Sequence, residues 1–126
     1  MDINNIIRYI QNIEELKEIF NGKEVIIFNR LIKSSISDIC KLYNANDSLV
    51  LTYDIKNIKN NTNFILYIDI WSKKSLEEVD KIYSILIDRM GGNSIDCYFN
   101  EDNTSEYIED ELYYRKNIKF NYTLYR

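Results

Sequence analysis

The sequence predicts an α+β fold: a single mixed or mainly antiparallel sheet covered by two long amphipathic helices and one short helix, in one domain over residues 1–126. Apolar residues recur at steps of three and four in two long stretches and alternate with polar residues in four shorter ones. No Pro, Gly/Ser linker or internal repeat divides the chain. A chain of this length buries about two-thirds of the surface its unfolded form exposes, so one core is enough.

The elements follow in order. Ile3, Ile6, Ile7, Ile10, Ile13, Leu16, Ile19 and Phe20 set one apolar stripe along a first long helix, and Gly22 supplies its stop. Val25 to Phe28 is a continuous apolar run rich in β-branched and aromatic residues, which predicts a central strand buried on both faces. Ser35 with Asp38 three residues on forms a capping-box pattern, and Ile36, Ile39, Cys40 and Tyr43 continue it as a short helix. Leu49, Leu51, Tyr53 and Ile55 alternate with Val50, Thr52, Asp54 and Lys56. Phe64, Leu66, Ile68 and Ile70 alternate with Ile65, Tyr67, Asp69 and Trp71. The polar link Asn57 to Asn63 joins these two runs as an antiparallel hairpin.

Ser75 with Glu78 opens the second long helix, whose face is Leu76, Val79, Ile82, Tyr83, Leu86 and Met90, and Gly91-Gly92 ends it. Ile95, Cys97 and Phe99 then alternate with Asp96 and Tyr98. Ile118, Phe120, Tyr122 and Leu124 alternate at the other end of the tail. Tyr107 to Arg115 fits either a strand or a helical turn. The faces carrying Ile6, Ile10, Leu16, Val79, Ile82 and Leu86 are expected to pack on the sheet.

Composition narrows function. The chain uses 22 Ile, 16 Asn and 11 Tyr but one Ala, no Pro and no His, a skew that matches an AT-rich coding sequence such as that of a low-GC bacterium or its phage. Without His it lacks the commonest general base and transition-metal ligand. Its three glycines, Gly22, Gly91 and Gly92, cannot write a phosphate loop or a dinucleotide fingerprint. No cofactor and no metal site are expected, and the chain reads as a binding protein rather than an enzyme. The N-terminus has no basic region followed by an apolar one, and no run approaches about 18 apolar residues, so a cytoplasmic, non-membrane protein is expected. In that compartment Cys40 and Cys97 stay reduced and pack as small apolar residues.

One enzymatic pattern remains: Asp54-Ile55-Lys56 on one strand with Asp69 on its partner, and Asp96 as a third carboxylate, as in Mg²⁺-dependent nucleases. The plainer reading puts these residues on the wetter face of a half-exposed sheet.

The net charge of −4 argues against nucleic acid as a direct partner and for a protein partner with a basic surface. Residues 96–111 hold Asp96, Glu101, Asp102, Glu106, Glu109, Asp110 and Glu111 with no Lys or Arg among them. Tyr107, Tyr113 and Tyr114 border this run, with Tyr122, Tyr125 and Trp71 as further aromatics. Aromatic anchors beside an acidic rim are how a protein grips a basic partner, so these ten residues from Asp96 to Tyr114 are the predicted partner-binding set. The plainer reading is a solvated loop with codon-driven tyrosines.

This character, a small acidic α+β protein with a tyrosine-rich acidic segment, resembles the immunity proteins that bacteria make against secreted polymorphic or contact-dependent toxins. The opening Met1-Asp2-Ile3-Asn4-Asn5-Ile6-Ile7-Arg8-Tyr9-Ile10-Gln11-Asn12 is similar to the first helix of a Listeria prophage anti-CRISPR family that blocks a Cas effector. Both resemblances imply an acidic surface that occupies the basic site of a nucleic-acid enzyme.

Overall fold

A computed structural model describes residues 3–22, 24–30, 35–57, 63–90, 97–101, 106–108 and 112–123. Its elements are α1 (Ile3–Gln11), α2 (Glu14–Ile19), β1 (Ile27–Asn29), α3 (Ile36–Leu42), β2 (Leu49–Asn57), β3 (Asn63–Ser72), α4 (Leu76–Met90), β4 (Cys97–Glu101), β5 (Glu106–Ile108) and β6 (Tyr113–Thr123). The strands form one mixed sheet in the order β1-β2-β3-β6-β4, with β5 also on β6. Among the described residues only the β1–β2 pair is parallel, and α3 lies in its crossover. The α+β expectation holds.

The expected first long helix is two. Asn12 ends α1 by turning its side-chain amide onto the Arg8 carbonyl at 2.7 Å, and Ile13 is extended (φ −69°, ψ 116°) where the stripe asked for helix. Asn competes with its own backbone in this way, and the apolar spacing alone does not reveal it. The break turns Ile13 inward and keeps Ile6, Ile10 and Leu16 on the same core. Asn21 takes the left-handed conformation after α2, and Gly22 N–H reaches the Lys17 carbonyl at 2.8 Å. With Asn21 N–H on Glu18, this is a Schellman close. The same pair of bonds ends α3, at Asn44 and Ala45.

Both predicted caps form. Ser35 Oγ accepts from Asp38 N–H and Ser75 Oγ from Glu78 N–H, each at 3.2 Å. The hairpin forms in register, Leu51 opposite Ile70 and Ile55 opposite Leu66. β3 is then paired along its length with β6, which begins at Tyr113, ahead of the alternating run that predicted it.

Val25 to Phe28 leads into an edge strand, which corrects the expected central one. A continuous apolar run needs cover on both faces, and an edge strand can have that. Val25 and Ile27 sink into the main core, while Ile26 and Phe28 pack against a second, smaller cluster.

The main core lies between the sheet and α1, α2 and α4. It contains Ile6, Ile10, Leu16, Val79, Ile82 and Leu86, as predicted, with Leu51, Leu66, Ile68, Ile70, Ile118 and Phe120 from the strands. Each such side chain contributes about 1.5–3 kcal/mol by leaving water. Polar clasps tie the helical layer together: Arg89 grips both oxygens of Glu15 at 2.6 Å, and Tyr9 donates to the Arg89 carbonyl. The Arg89 guanidinium holds the Glu15 carboxyl below its usual range.

Candidate functional site: the second face of the sheet

Period two sends every other strand residue to the face opposite the main core. Register orders these residues into rows across the strands. One row runs Val50, Trp71, Arg115, Glu106; the next Phe28, Thr52, Asp69, Asn117; the next Asp54, Tyr67, Lys119, Glu101. α3 covers one end of this face, where Ile36 and Cys40 pack on Val50, Trp71 and Tyr113. Beyond that end, Asp54 and Lys56 are exposed and Ile65, Tyr67, Asp69, Arg115, Asn117 and Lys119 are half-buried.

The face is a network of mixed charge. Asp69 Oδ1 accepts from Arg115 Nε at 3.0 Å, Arg115 Nη2 at 2.8 Å and Asn117 Nδ2 at 2.8 Å. The guanidinium so held lies 5.3 Å from the Trp71 ring, and Arg30 lies 5.8 Å from the same ring. Lys119 stands 5.7 Å from the Tyr67 ring. Such cation–π contacts contribute about 0.5–1 kcal/mol each at exposed sites and fix where the charges sit.

The carboxylates of the nuclease pattern are not set opposite one another. Asp69 faces Thr52, whereas Asp54 faces Tyr67, its Oδ1 accepting from Ile55 N–H at 2.8 Å, and Lys56 faces Ile65. The Asp69 oxygen that a cation would seek is occupied by Arg115 and Asn117. Asp96 lies outside the described residues. Among the described residues, no group of three or more His, Cys, Asp or Glu is placed to hold a metal.

Of the predicted partner-binding set, Asp96, Asp102, Glu109, Asp110 and Glu111 lie outside the described residues. Glu101, Glu106 and Tyr107 belong to β4 and β5, which pair with successive stretches of β6 along its outer edge. Glu101 is opposite Lys119 and Glu106 opposite Arg115. The described stretches of the acidic segment, β4 and β5, are therefore paired with a basic strand, which residues 96–111 alone could not reveal.

Of the two tyrosine anchors, Tyr113 is corrected. Tyr113 is fully buried in the second cluster, its hydroxyl donating to the Asp47 carbonyl at 2.6 Å, and burial pushes its pKa up. It has no surface to offer a partner. Tyr114, one residue on, takes the opposite parity and packs half-buried against the main core. Trp71 is also interior: its Nε1 donates to Thr52 Oγ1 at 2.8 Å and its ring meets Tyr113 edge-on at 6.0 Å. The sequence-level reading missed Tyr67, Arg115, Asn117 and Lys119 as a set. Their parity was legible, but their adjacency depends on the β3–β6 register.

No protein-family model, curated protein or solved structure matches the chain. Among the described residues, no helix is long and apolar enough to cross a membrane.

Proposed function

We propose that this chain is a non-catalytic binding protein that inhibits a partner enzyme by protein–protein contact, of the immunity type that neutralises a bacterial toxin such as a nuclease. One observation carries the reading: the half-covered second face, where Asp54, Tyr67, Lys119 and Glu101 cross the sheet in a single row beside an acidic edge. Charges of both signs already paired within the chain suit a geometrically specific protein surface better than a nucleic-acid backbone, which calls for unopposed cations. Interfaces favour such a mixture of tyrosine, arginine and a polar rim.

The test is surface-plasmon binding of the purified chain to the product of the gene immediately upstream, combined with an assay of that product's activity. Tight binding that silences the activity is the expected result. Cleavage of DNA or RNA by the purified chain with Mg²⁺ or Mn²⁺, lost in a folded Asp54→Ala or Asp69→Ala variant, would overturn the reading.

A further inference from the structure

α3 is held to the sheet by little. It has seven residues, too few to be helical alone, and buries Ile36, Ile39 and Cys40. Its Ile36 and Cys40 form a small buried cluster with Val50, Trp71 and Tyr113 of the strands. Tyr43, at its end, stacks on Phe28 at 4.9 Å yet remains exposed.

Among the described residues, a polar clip centred on Asp47 adds to this attachment. Ser37 Oγ donates to Asp47 Oδ2 at 3.3 Å, Lys73 Nζ to the same oxygen at 2.6 Å, and the Tyr113 hydroxyl to the Asp47 carbonyl at 2.6 Å. Lys73 Nζ also stands 5.4 Å from the Tyr113 ring, and Lys73 N–H donates to the Ser48 carbonyl. The Asp47 and Lys73 side chains are more than a third exposed, so water competes for their bond. The main core lies on the other face of the β2-β3-β6 ladder from these contacts.

We propose that α3 and its closing turn are a latch that opens as a unit ahead of global unfolding, uncovering Trp71 and Val50 on the face that carries Tyr67 two rows away. Small contiguous units with few apolar contacts open at a lower free energy than the whole domain. Trp71 then joins Tyr67 on one surface, since the two are four residues apart on the same face of β3, with Asp69 between them. That consequence for binding rests on the function proposed above, whereas the opening is a property of the chain alone.

The buried Cys40 thiol reports the opening. The experiment is iodoacetamide labelling of the native full chain, resolved by peptide mass spectrometry so that Cys97 is read separately, across sub-denaturing urea. The expected result is Cys40 modification with a urea dependence well below that of global unfolding. Asp47→Asn should accelerate it about two- to fivefold, as loss of an exposed ion pair does. Tyr113→Phe, which removes the hydroxyl bond alone, should accelerate it about fivefold. Leu16→Ala, in the main core, should lower the global midpoint and leave native labelling of Cys40 unchanged. Labelling of Cys40 that carries the full urea dependence of unfolding and rises with Leu16→Ala would overturn the latch, whether or not the chain inhibits a toxin.

Discussion

The two faces of the sheet are covered by different means. On one, α1, α2 and α4 bury a core of aliphatic side chains with Phe20, Phe120 and Met90, and clasps such as Arg89 with Glu15 sit outside it. On the other, α3 lays Ile36 and the Cys40 thiol over Val50, Trp71 and Tyr113, and Thr52 and the Asp47 carbonyl satisfy the indole N–H and the phenol. Among the described residues no buried side-chain polar atom lacks a partner, so the second cluster is built soundly. It is simply shallower. An apolar face fixes the fold by its area alone, whereas a mixed face depends on particular hydrogen bonds and leaves room for contact.

The widest gap between the faces should appear in stability. Phe120→Ala, in the main core, should cost about 3–5 kcal/mol and shift the urea transition seen by far-UV circular dichroism. Ile36→Ala, under α3, removes about 2 kcal/mol or more of local packing. It should change Trp71 fluorescence strongly while leaving the far-UV midpoint nearly in place. Equal shifts of that midpoint would erase the distinction.

pH should separate the faces next. Burial raises the Cys40 thiol above its ordinary 9.0 and the Tyr113 phenol above 10.0, with Lys73 opposing and Asp47 adding to both shifts. A raised folded value means stability present in full below the ordinary pKa and lost as pH climbs through it to the folded one. Asp47 behaves oppositely: hydrogen bonding from Lys73 lowers its carboxyl from 3.8, so its contribution is present above that value and lost as pH falls below it. Trp71 emission should therefore shift above pH 9 and again below pH 4, before the far-UV signal does. Simultaneous loss of both signals would contradict the expectation.

Binding comes third. Tyr67→Ala should weaken the complex with the cognate partner by about 2 kcal/mol if that ring is a hot spot. Its effect on folding stability should stay under about 1 kcal/mol, the scale of one cross-strand pair. The smallest effect belongs to the acidic edge. Glu101→Gln with Glu106→Gln should slow association and flatten its salt dependence, leaving dissociation nearly unchanged, because rim charges steer encounter more than they hold the complex.

Local chemistry was readable from the residues. Ser35 and Ser75 announced their caps, and period two assigned Leu66, Ile68 and Ile70 to one face and Tyr67 and Asp69 to the other. What escaped were the decisions made by distant partners. Tyr113 looks like a surface anchor until α3, more than seventy residues earlier, is laid over it. Glu101 and Glu106 look unopposed until β6 supplies Lys119 and Arg115 by register. The break at Asn12 was local and still hidden, because Ile13 remains in phase with the stripe on either side of it. The position of β1 at the edge was equally illegible, since burial on both faces says nothing about how many strands lie beside it.

The claim that the second face does the binding is tested most directly by growth rescue. The chain is co-expressed with the toxic product of the gene immediately upstream, and survival is compared for two double variants that both fold. Tyr67→Ala with Lys119→Ala alters the second face, and Glu18→Ala with Lys81→Ala alters the groove between α2 and α4 on the helical side. The account predicts that wild type and the helical-side variant protect the cell while the second-face variant does not. Full protection by the second-face variant together with loss of protection in the helical-side one would contradict it.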